Sequence, residues 1–287
     1  MKSRTRVIVL TLLPALLVIL MVAVVPIIFQ FYTSLHSFRL GYPWESREFL
    51  GFENYLRLFG RPTFRYSFWI TVQFAFGVTF ASLVVGLSFA LLLNRTFRFK
   101  SVVVSSVLIP VTISPGVIGL IWRLMLNTEF GVVNYFLRPF GLDANWLGSD
   151  LAFTSILLVS TWFASSFMTL VCLAGLEALP AEPFEAAVVD GANALQRFFY
   201  ITLPLLQPVL FVAILLQQVA TLHVFGIIFV LTGGGPGNRT NVLALEVYRQ
   251  GLNTGNMGMA AAVAGVLALL ALGLSSLLIS RFRRGLR

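Results

Sequence analysis

Charge is what this 287-residue sequence has least of: Asp, Glu, Lys and Arg together make up 11%, against about 25% in a soluble domain. Hydrophobic residues make up 58%, and the mean hydropathy is +0.90. Polar surface is too scarce to cover a soluble fold, which makes this a membrane protein. Lysine is nearly missing. Lys2 and Lys100 are the two present, and neither follows a glycine-rich turn, so the chain has no phosphate loop with which to use ATP. The single cysteine, Cys172, lies inside an apolar run and has no partner for an internal disulfide. With two histidines, no His-Glu-x-x-His, no Gly-x-Ser-x-Gly and no cluster of His, Cys and acids, the familiar metal and nucleophile chemistries are excluded, and the chain is read as a non-catalytic protein.

Acidic residues are missing from the apolar runs. Glu45, Glu48, Glu53, Glu129, Asp143, Asp150 and Glu246 lie in one set of connections, and Glu177, Glu182, Glu185 and Asp190 in a single loop. A carrier driven by protons or sodium usually keeps a carboxylate at membrane depth, so an ion-coupled carrier is disfavoured. His223 is the one histidine within a run, and it reads as a packed helix-interface residue rather than a proton relay. The net charge of +9 would suit nucleic acid. The basic residues, however, sit in short turns between apolar runs, where lipid headgroups are their natural partners, and nucleic acid is excluded.

What is there is a series of apolar runs of bilayer-spanning length, about twenty residues each. Six are expected: Val7–Phe29, Phe68–Leu93, Val102–Leu126, Leu151–Leu176, Leu205–Leu231 and Met257–Ile279. The basic start and the length of the first run read as an uncleaved span rather than a signal peptide. The third run is interrupted by Pro110, Pro115 and Arg123. With the N-terminus inside, the segments 1–6, 94–101, 177–204 and 280–287 hold 11 Lys/Arg in 50 residues, and the opposite segments hold 8 in 87. Both termini and the loop 177–204 are therefore expected on the cytoplasmic side.

That loop is unlike its surroundings. Phe184, Val188, Gly191, Leu195 and Phe198 fall on one helical stripe, with Glu182, Glu185, Asn193, Gln196 and Arg197 mostly elsewhere. Glu182-Pro183 reads as a helix start and Gly191 with Asn193 as a break, so two short helices with a bend are expected. From amphipathicity alone, such an elbow either docks in a partner's groove or lies on the membrane surface.

The spacing narrows this. Glu185-Ala186-Ala187, then Gly191, then Ile201-x-Leu203-Pro204 resembles the EAA loop of ABC importer permeases, with all seven fixed positions matched. Leu231-Thr232-Gly233-Gly234-Gly235-Pro236 resembles the L-T-x-G-G-P turn of the sugar-uptake group, maltose-permease-like or glycerol-phosphate-permease-like first subunits. Tyr248-Arg249, Gly258-x-Ala260-Ala261-Ala262 and Gly51-Phe52-Glu53-Asn54-Tyr55 also match that group.

The resemblance implies an all-α fold of six transmembrane helices in a bacterial or archaeal cytoplasmic membrane. It implies an N-terminal helix and first outer loop over 1–67 and a five-helix core over 68–287. The partners it implies are a second homologous permease, two cytoplasmic ABC ATPases, an extracytoplasmic sugar-binding protein, a sugar cargo and membrane lipid. No cofactor is expected in this chain, since ATP and magnesium would be held by the ATPase. Glu185, Ala186, Ala187, Gly191, Ile201, Leu203 and Pro204 would couple to that ATPase.

Cargo is expected near the middle of spans four and five. Ser160, Phe163, Ala164 and Phe167 share one face of the fourth, and Gln217, Thr221 and Val224 one face of the fifth. Gln, Thr and Ser offer hydrogen bonds to a sugar's rim, and Phe offers a platform for its ring. Counted from the EAA loop without gaps, these faces coincide with the substrate-contacting positions of maltose-permease-like subunits. The residue types mostly differ from those associated with maltose, which points away from maltose itself. The same machine importing a polyol or glycerol phosphate is the alternative; Arg123, near an outer end, is the only intramembrane arginine, which favours a neutral cargo over a phosphorylated one.

Overall fold

The computed structural model describes residues 11–15 and 17–285, so the basic start, Val7–Leu10 of the first expected span and the last two residues lie outside the described residues. Among the described residues there is no β-strand, only two isolated bridges, His36 with Phe49 and Arg39 with Asn256. We number the helices α1 (Thr11–Ser34), α2 (Glu53–Gly60), α3 (Pro62–Leu93), α4 (Lys100–Thr112), α5 (Pro115–Met125), α6 (Val132–Leu137), α7 (Ala152–Glu177), α8 (Glu182–Val189), α9 (Ala194–Leu222), α10 (Gly226–Leu231), α11 (Leu243–Tyr248) and α12 (Met257–Gly285). Five of them, α1, α3, α7, α9 and α12, are long and apolar enough to cross a membrane, and the bent pair α4–α5 makes a sixth candidate.

Two expected spans are broken. The third, Val102–Leu126, is two helices meeting at 103°. The cause is Pro115: its ring pushes the preceding residue out of the helical region, and it has no N–H to offer. Ile113 and Ser114 are accordingly extended, with ψ of 139° and 136°. The fifth expected span, Leu205–Leu231, begins earlier and ends sooner. α9 stops at Leu222, and residues 226–231 form the separate α10. α10 packs along α5 because the contact positions are glycines. A Cβ on Gly119 would lie 2.9 Å from the carbonyl oxygen of Ile227 and 3.1 Å from Cβ of Val230. A Cβ on Gly226 would lie 3.2 Å from the backbone nitrogen of Gly116. Arg123 Nη1 donates to the Val230 carbonyl at 3.2 Å.

The chain forms two compact units. One comprises the residues up to Arg65 with Glu246–Leu269. In it, Asn54 Nδ2 donates to the carbonyls of Ser34 at 2.8 Å and His36 at 3.1 Å, and Tyr55 Oη donates to Ser34 Oγ at 2.8 Å. These bonds fasten α2 to the end of α1. A Cβ on Gly258 would lie 2.3 Å from the carbonyl oxygen of His36. The Gly51–Tyr55 and Gly258 signatures thus meet in one close-packed contact. α1 itself presents apolar side chains outward, Val22 at 71% exposure among them, as a lipid-facing or partner-facing helix does.

The other unit, Tyr66–Leu245 with Leu270 onward, is organised around α7, the most buried of the long helices. Ala90 and Leu93 of α3, Met168, Cys172, Leu173 and Leu176 of α7, and Leu206, Leu210 and Ala213 of α9 form one apolar cluster. Small residues let these helices close up, as in membrane bundles generally. A Cβ on Gly86 would lie 2.6 Å from Met168 Cβ and 3.0 Å from the backbone nitrogen of Thr169. Ser166 Oγ donates to the Val107 carbonyl at 2.8 Å, tying α7 to α4. Gly86→Val is therefore expected to destabilise the protein by about 1–3 kcal/mol, whereas Gly273→Val, where a Cβ meets nothing within 4 Å, is expected to be neutral. Melting of the detergent-solubilised protein, followed by size-exclusion chromatography, checks the pair.

Lys100 Nζ lies 3.2 Å from Glu177 Oε1, which brings the connections 94–101 and 177–204 to one end of this unit. At the other end the Leu231–Pro236 turn is closed by Thr232 and Thr240, whose hydroxyls are 2.7 Å apart. It is anchored to α3 by Asn241 Nδ2 donating to Ser67 Oγ at 2.9 Å and by the Leu243 N–H donating to Thr71 Oγ1 at 2.8 Å.

Candidate functional site

The two helix breaks meet. Pro115, which opens α5, and Gly226, which opens α10, are in contact, and the space they leave continues between α7 and the end of α9 as a cavity of about 580 Å³. This is within the range of about 300–1,000 Å³ typical of small-ligand sites. All seven residues expected at the cargo face line it: Ser160, Phe163, Ala164 and Phe167 from α7, Gln217 and Thr221 from α9, and Val224 from the break after α9. The i, i+4 spacing on each helix is why one face reaches one cavity. Sequence reasoning missed the rest of the wall: Val78, Leu216 and Ala220 on the long helices, and Val111, Pro115, His223, Phe225, Gly226 and Ile227 around the breaks. Their signal was present in part, as a proline and a histidine inside apolar runs, but their convergence depends on breaks that hydropathy alone does not place.

No Asp, Glu, Lys or Arg is among the lining residues. The polar groups are few and mostly committed. Thr221 Oγ1 donates to the Gln217 carbonyl at 2.8 Å and accepts from Gln217 Nε2 at 3.0 Å. The Gln217 amide hydrogen is thus aimed at its own helix. Ser160 is 2% exposed, and its Oγ has no hydrogen-bond partner among the described residues. A buried hydroxyl without a partner costs about 1–3 kcal/mol, a cost that a ligand hydroxyl in the cavity would offset. Phe163 and Phe167 are half-buried and line the same cavity. His223 is not the packed interface residue expected from the sequence. It is exposed, sits in the break after α9, and its Nδ1 is 2.8 Å from the Val219 carbonyl.

The second candidate surface is the elbow between α7 and α9. α8 begins with Pro183 in its first turn and stops at Val189. Gly191 then takes φ +76°, with nothing within 4 Å of where its Cβ would be. The glycine is required by the backbone rather than by space. Asn193 opens α9 with a capping box: Gln196 N–H donates to Asn193 Oδ1 at 2.9 Å, and Asn193 N–H donates to Gln196 Oε1 at 2.8 Å. The two short helical pieces and the bend are those expected. The single stripe is not, because the helix does not continue through Gly191. Phe184 and Phe198 are half-buried, whereas Val188 and Leu195 are exposed. The outward apolar set includes Val189 at 87% and Tyr200 at 80% exposure. Glu185 and Ala186 face outward, Ala187 is buried, Ile201 and Leu203 are half-buried and Pro204 is exposed. A π-helical turn, Phe198–Thr202, precedes Pro204, which offers no N–H to the turn before it. Beside the bend is a shallow hollow of about 320 Å³ lined by Asp190, Gly191, Ala192, Gln196, Tyr200 and Ile201.

Residues 82–283 match the family model described as the binding-protein-dependent transport system inner membrane component. Among curated proteins, the chain is similar to the trehalose/maltose transport system permease protein MalF of Thermococcus litoralis, with 39% identity over 96% of this chain and 94% of that one. It is also similar to the sulfoquinovosyl glycerol transport system permease protein SmoG of Agrobacterium fabrum, with 37% identity over 90% and 84%, and to the sn-glycerol-3-phosphate transport system permease protein UgpA of Salmonella typhimurium, with 32% identity over 78% and 77%. Among solved structures, a chain of a bacterial alginate ABC transporter in complex with an alginate pentasaccharide-bound periplasmic protein superposes with a TM-score of 0.84 and 24% identity, over 98% of this chain and 96% of that one. That likeness shows a shared fold.

Proposed function

The chain belongs to the family of binding-protein-dependent transport system inner membrane components, and on that premise we propose that it is a permease subunit of an ATP-driven importer whose cargo is a neutral di- or oligosaccharide. The observation that carries the cargo class is the cavity. Seven residues chosen from the sequence line one chamber without a charged side chain, with a buried unpartnered hydroxyl beside two half-buried phenylalanines. A sugar offers both what that hydroxyl lacks and what an aromatic face covers. The name of the trehalose/maltose relative, alike over nearly the whole of both chains, supports the same class. The sulfonated and phosphorylated cargos in the names of other relatives call for a cation, and this cavity lining has none.

In this reading the subunit pairs with a second, similar permease and receives cargo from an extracytoplasmic sugar-binding protein. Two cytoplasmic ATPase subunits hold ATP and magnesium and engage the elbow through Glu185, Ala186 and the surface around Gly191. Closing of the ATPases draws the elbows together. Because α7 and α9 are locked through the Cys172–Leu206 cluster, the elbow moves them as one body and the cavity turns outward, an alternating-access scheme. Ion coupling has no support in a cavity without a carboxylate.

The test is reconstitution of this subunit with its second permease, ATPase and binding protein in proteoliposomes. ATP-dependent accumulation of labelled trehalose or maltose is the expected result. Accumulation without ATP, or transport confined to anionic sugars, would overturn the reading.

A further inference from the structure

His223 is the one lining residue with an imidazole, and its two nitrogens have different surroundings. It directly follows α9, whose last carbonyls lack internal partners. Nδ1 lies 2.8 Å from the Val219 carbonyl oxygen, which can only accept, so the proton of the neutral ring is on Nδ1. Nε2 is then a lone-pair acceptor, and it has no partner among the described residues. The residue is exposed and lines the cavity. The other polar groups there are largely spoken for, since Gln217 Nε2 and Thr221 Oγ1 bond each other. What the chamber still offers is the Ser160 hydroxyl, Gln217 Oε1 and the His223 ring.

Resting on the neutral-sugar reading, we propose that His223 is a specificity-determining contact: Nδ1–H holds the ring on the end of α9, and Nε2 accepts a hydrogen bond from a cargo hydroxyl. Ser160 and His223 then complement each other in chemistry, a hydroxyl free to donate and a nitrogen able only to accept, both in the lining of one cavity. A sugar hydroxyl, donor and acceptor at once, satisfies both. A site built to bond a hydroxyl discriminates against analogues that lack it at the matching position, so His223 selects among neutral disaccharides rather than merely admitting them.

A purely structural histidine, present to cap the helix, makes the opposite forecast for two variants. Asn at 223 keeps an N–H close to Nδ1 and has nothing at Nε2. Gln reaches the Nε2 region with a carboxamide oxygen and gives up the cap. In the full reconstituted complex, with uptake of labelled trehalose and labelled maltose measured beside ATP hydrolysis, His223→Asn is expected to lower uptake about tenfold with ATPase activity retained and the trehalose-to-maltose ratio altered. His223→Gln is expected to recover part of the uptake. If His223→Asn transports like wild type and His223→Gln does not, the residue is a cap and the assignment is overturned. It is equally overturned if uptake and ATP hydrolysis fall together in both variants, or if neither variant changes anything. A wild-type complex that, offered neutral and anionic sugars together, moves only the anionic ones overturns the neutral-cargo reading itself, and this assignment with it. Assembly of each variant is checked by gel filtration of the complex before reconstitution.

Discussion

Replacing Gly191 by proline is expected to abolish ATP-driven uptake while leaving insertion of the protein intact. Gly191 holds φ at +76°, a value proline, fixed near −65°, cannot take. The elbow must therefore open or tilt at the point where α8 hands over to α9. The rest of the chain is not implicated, because no atom lies within 4 Å of the position a Cβ would occupy. The same observation orders milder variants. Asn tolerates the left-handed region and is expected to retain most transport. Ala carries a penalty of about 1–2 kcal/mol there and is expected to fall between. The series is read by cargo uptake and by co-purification of the ATPase with the tagged chain from mild detergent. Glu185→Lys, a charge reversal on the exposed face of α8, is expected to lose the ATPase as well. If Gly191→Pro keeps both the ATPase and uptake, the elbow is a membrane-surface helix and not a coupling device.

Gly119→Leu is expected to have the second largest effect. At Gly119 a Cβ alone would come to 2.9 Å from the Ile227 carbonyl oxygen and 3.1 Å from Val230 Cβ, so a leucine side chain has no room unless α5 and α10 part. Overpacking of this kind costs about 1–3 kcal/mol. Here it also moves Pro115 and Ile227, which stand on opposite sides of the contact and both line the cavity. Uptake is expected to fall at least about tenfold, in line with the cost of a small misplacement in a preorganised site. Gly116→Ala is the control one turn away, where the nearest atom to a Cβ is Val230 Cγ2 at 4.0 Å, and it is expected to transport normally. Equal uptake in Gly119→Leu would show that the close crossing of α5 and α10 does not shape the cavity.

Both forecasts start from glycines that look alike in the sequence. Gly191 was legible because its surroundings were: an amphipathic insert between apolar runs, a proline at each end and a motif with fixed spacing. Gly119 was not, because its partner is more than a hundred residues away and nothing local marks it. The same contrast runs through the cavity. Ser160, Phe163, Ala164 and Phe167 could be grouped from helical spacing alone, as could Gln217 and Thr221, since residues four apart on a helix point the same way wherever the helix goes. Which second face they would meet was not contained in either helix. His223 was misread for the same reason: within an unbroken span it would be a packed side chain, and the break after Leu222 brings it to the cavity wall.

The sequence by itself determined the membrane environment, the number of apolar runs and the bend of the elbow, and its basic residues carry the expected side of each connection. Those follow from properties summed along the chain, namely hydropathy, the placement of Lys and Arg, and the φ that glycine alone takes easily. The tertiary structure decided where the third and fifth runs end, that their two broken ends pack on each other through Gly116, Gly119 and Gly226, and that a chamber without charged side chains remains between them and α7. A hydropathy pattern is indifferent to a 103° bend, because both halves stay apolar. It is the backbone groups freed at Pro115, and the close approach open only to glycine, that turn six runs into a path with a cavity in it.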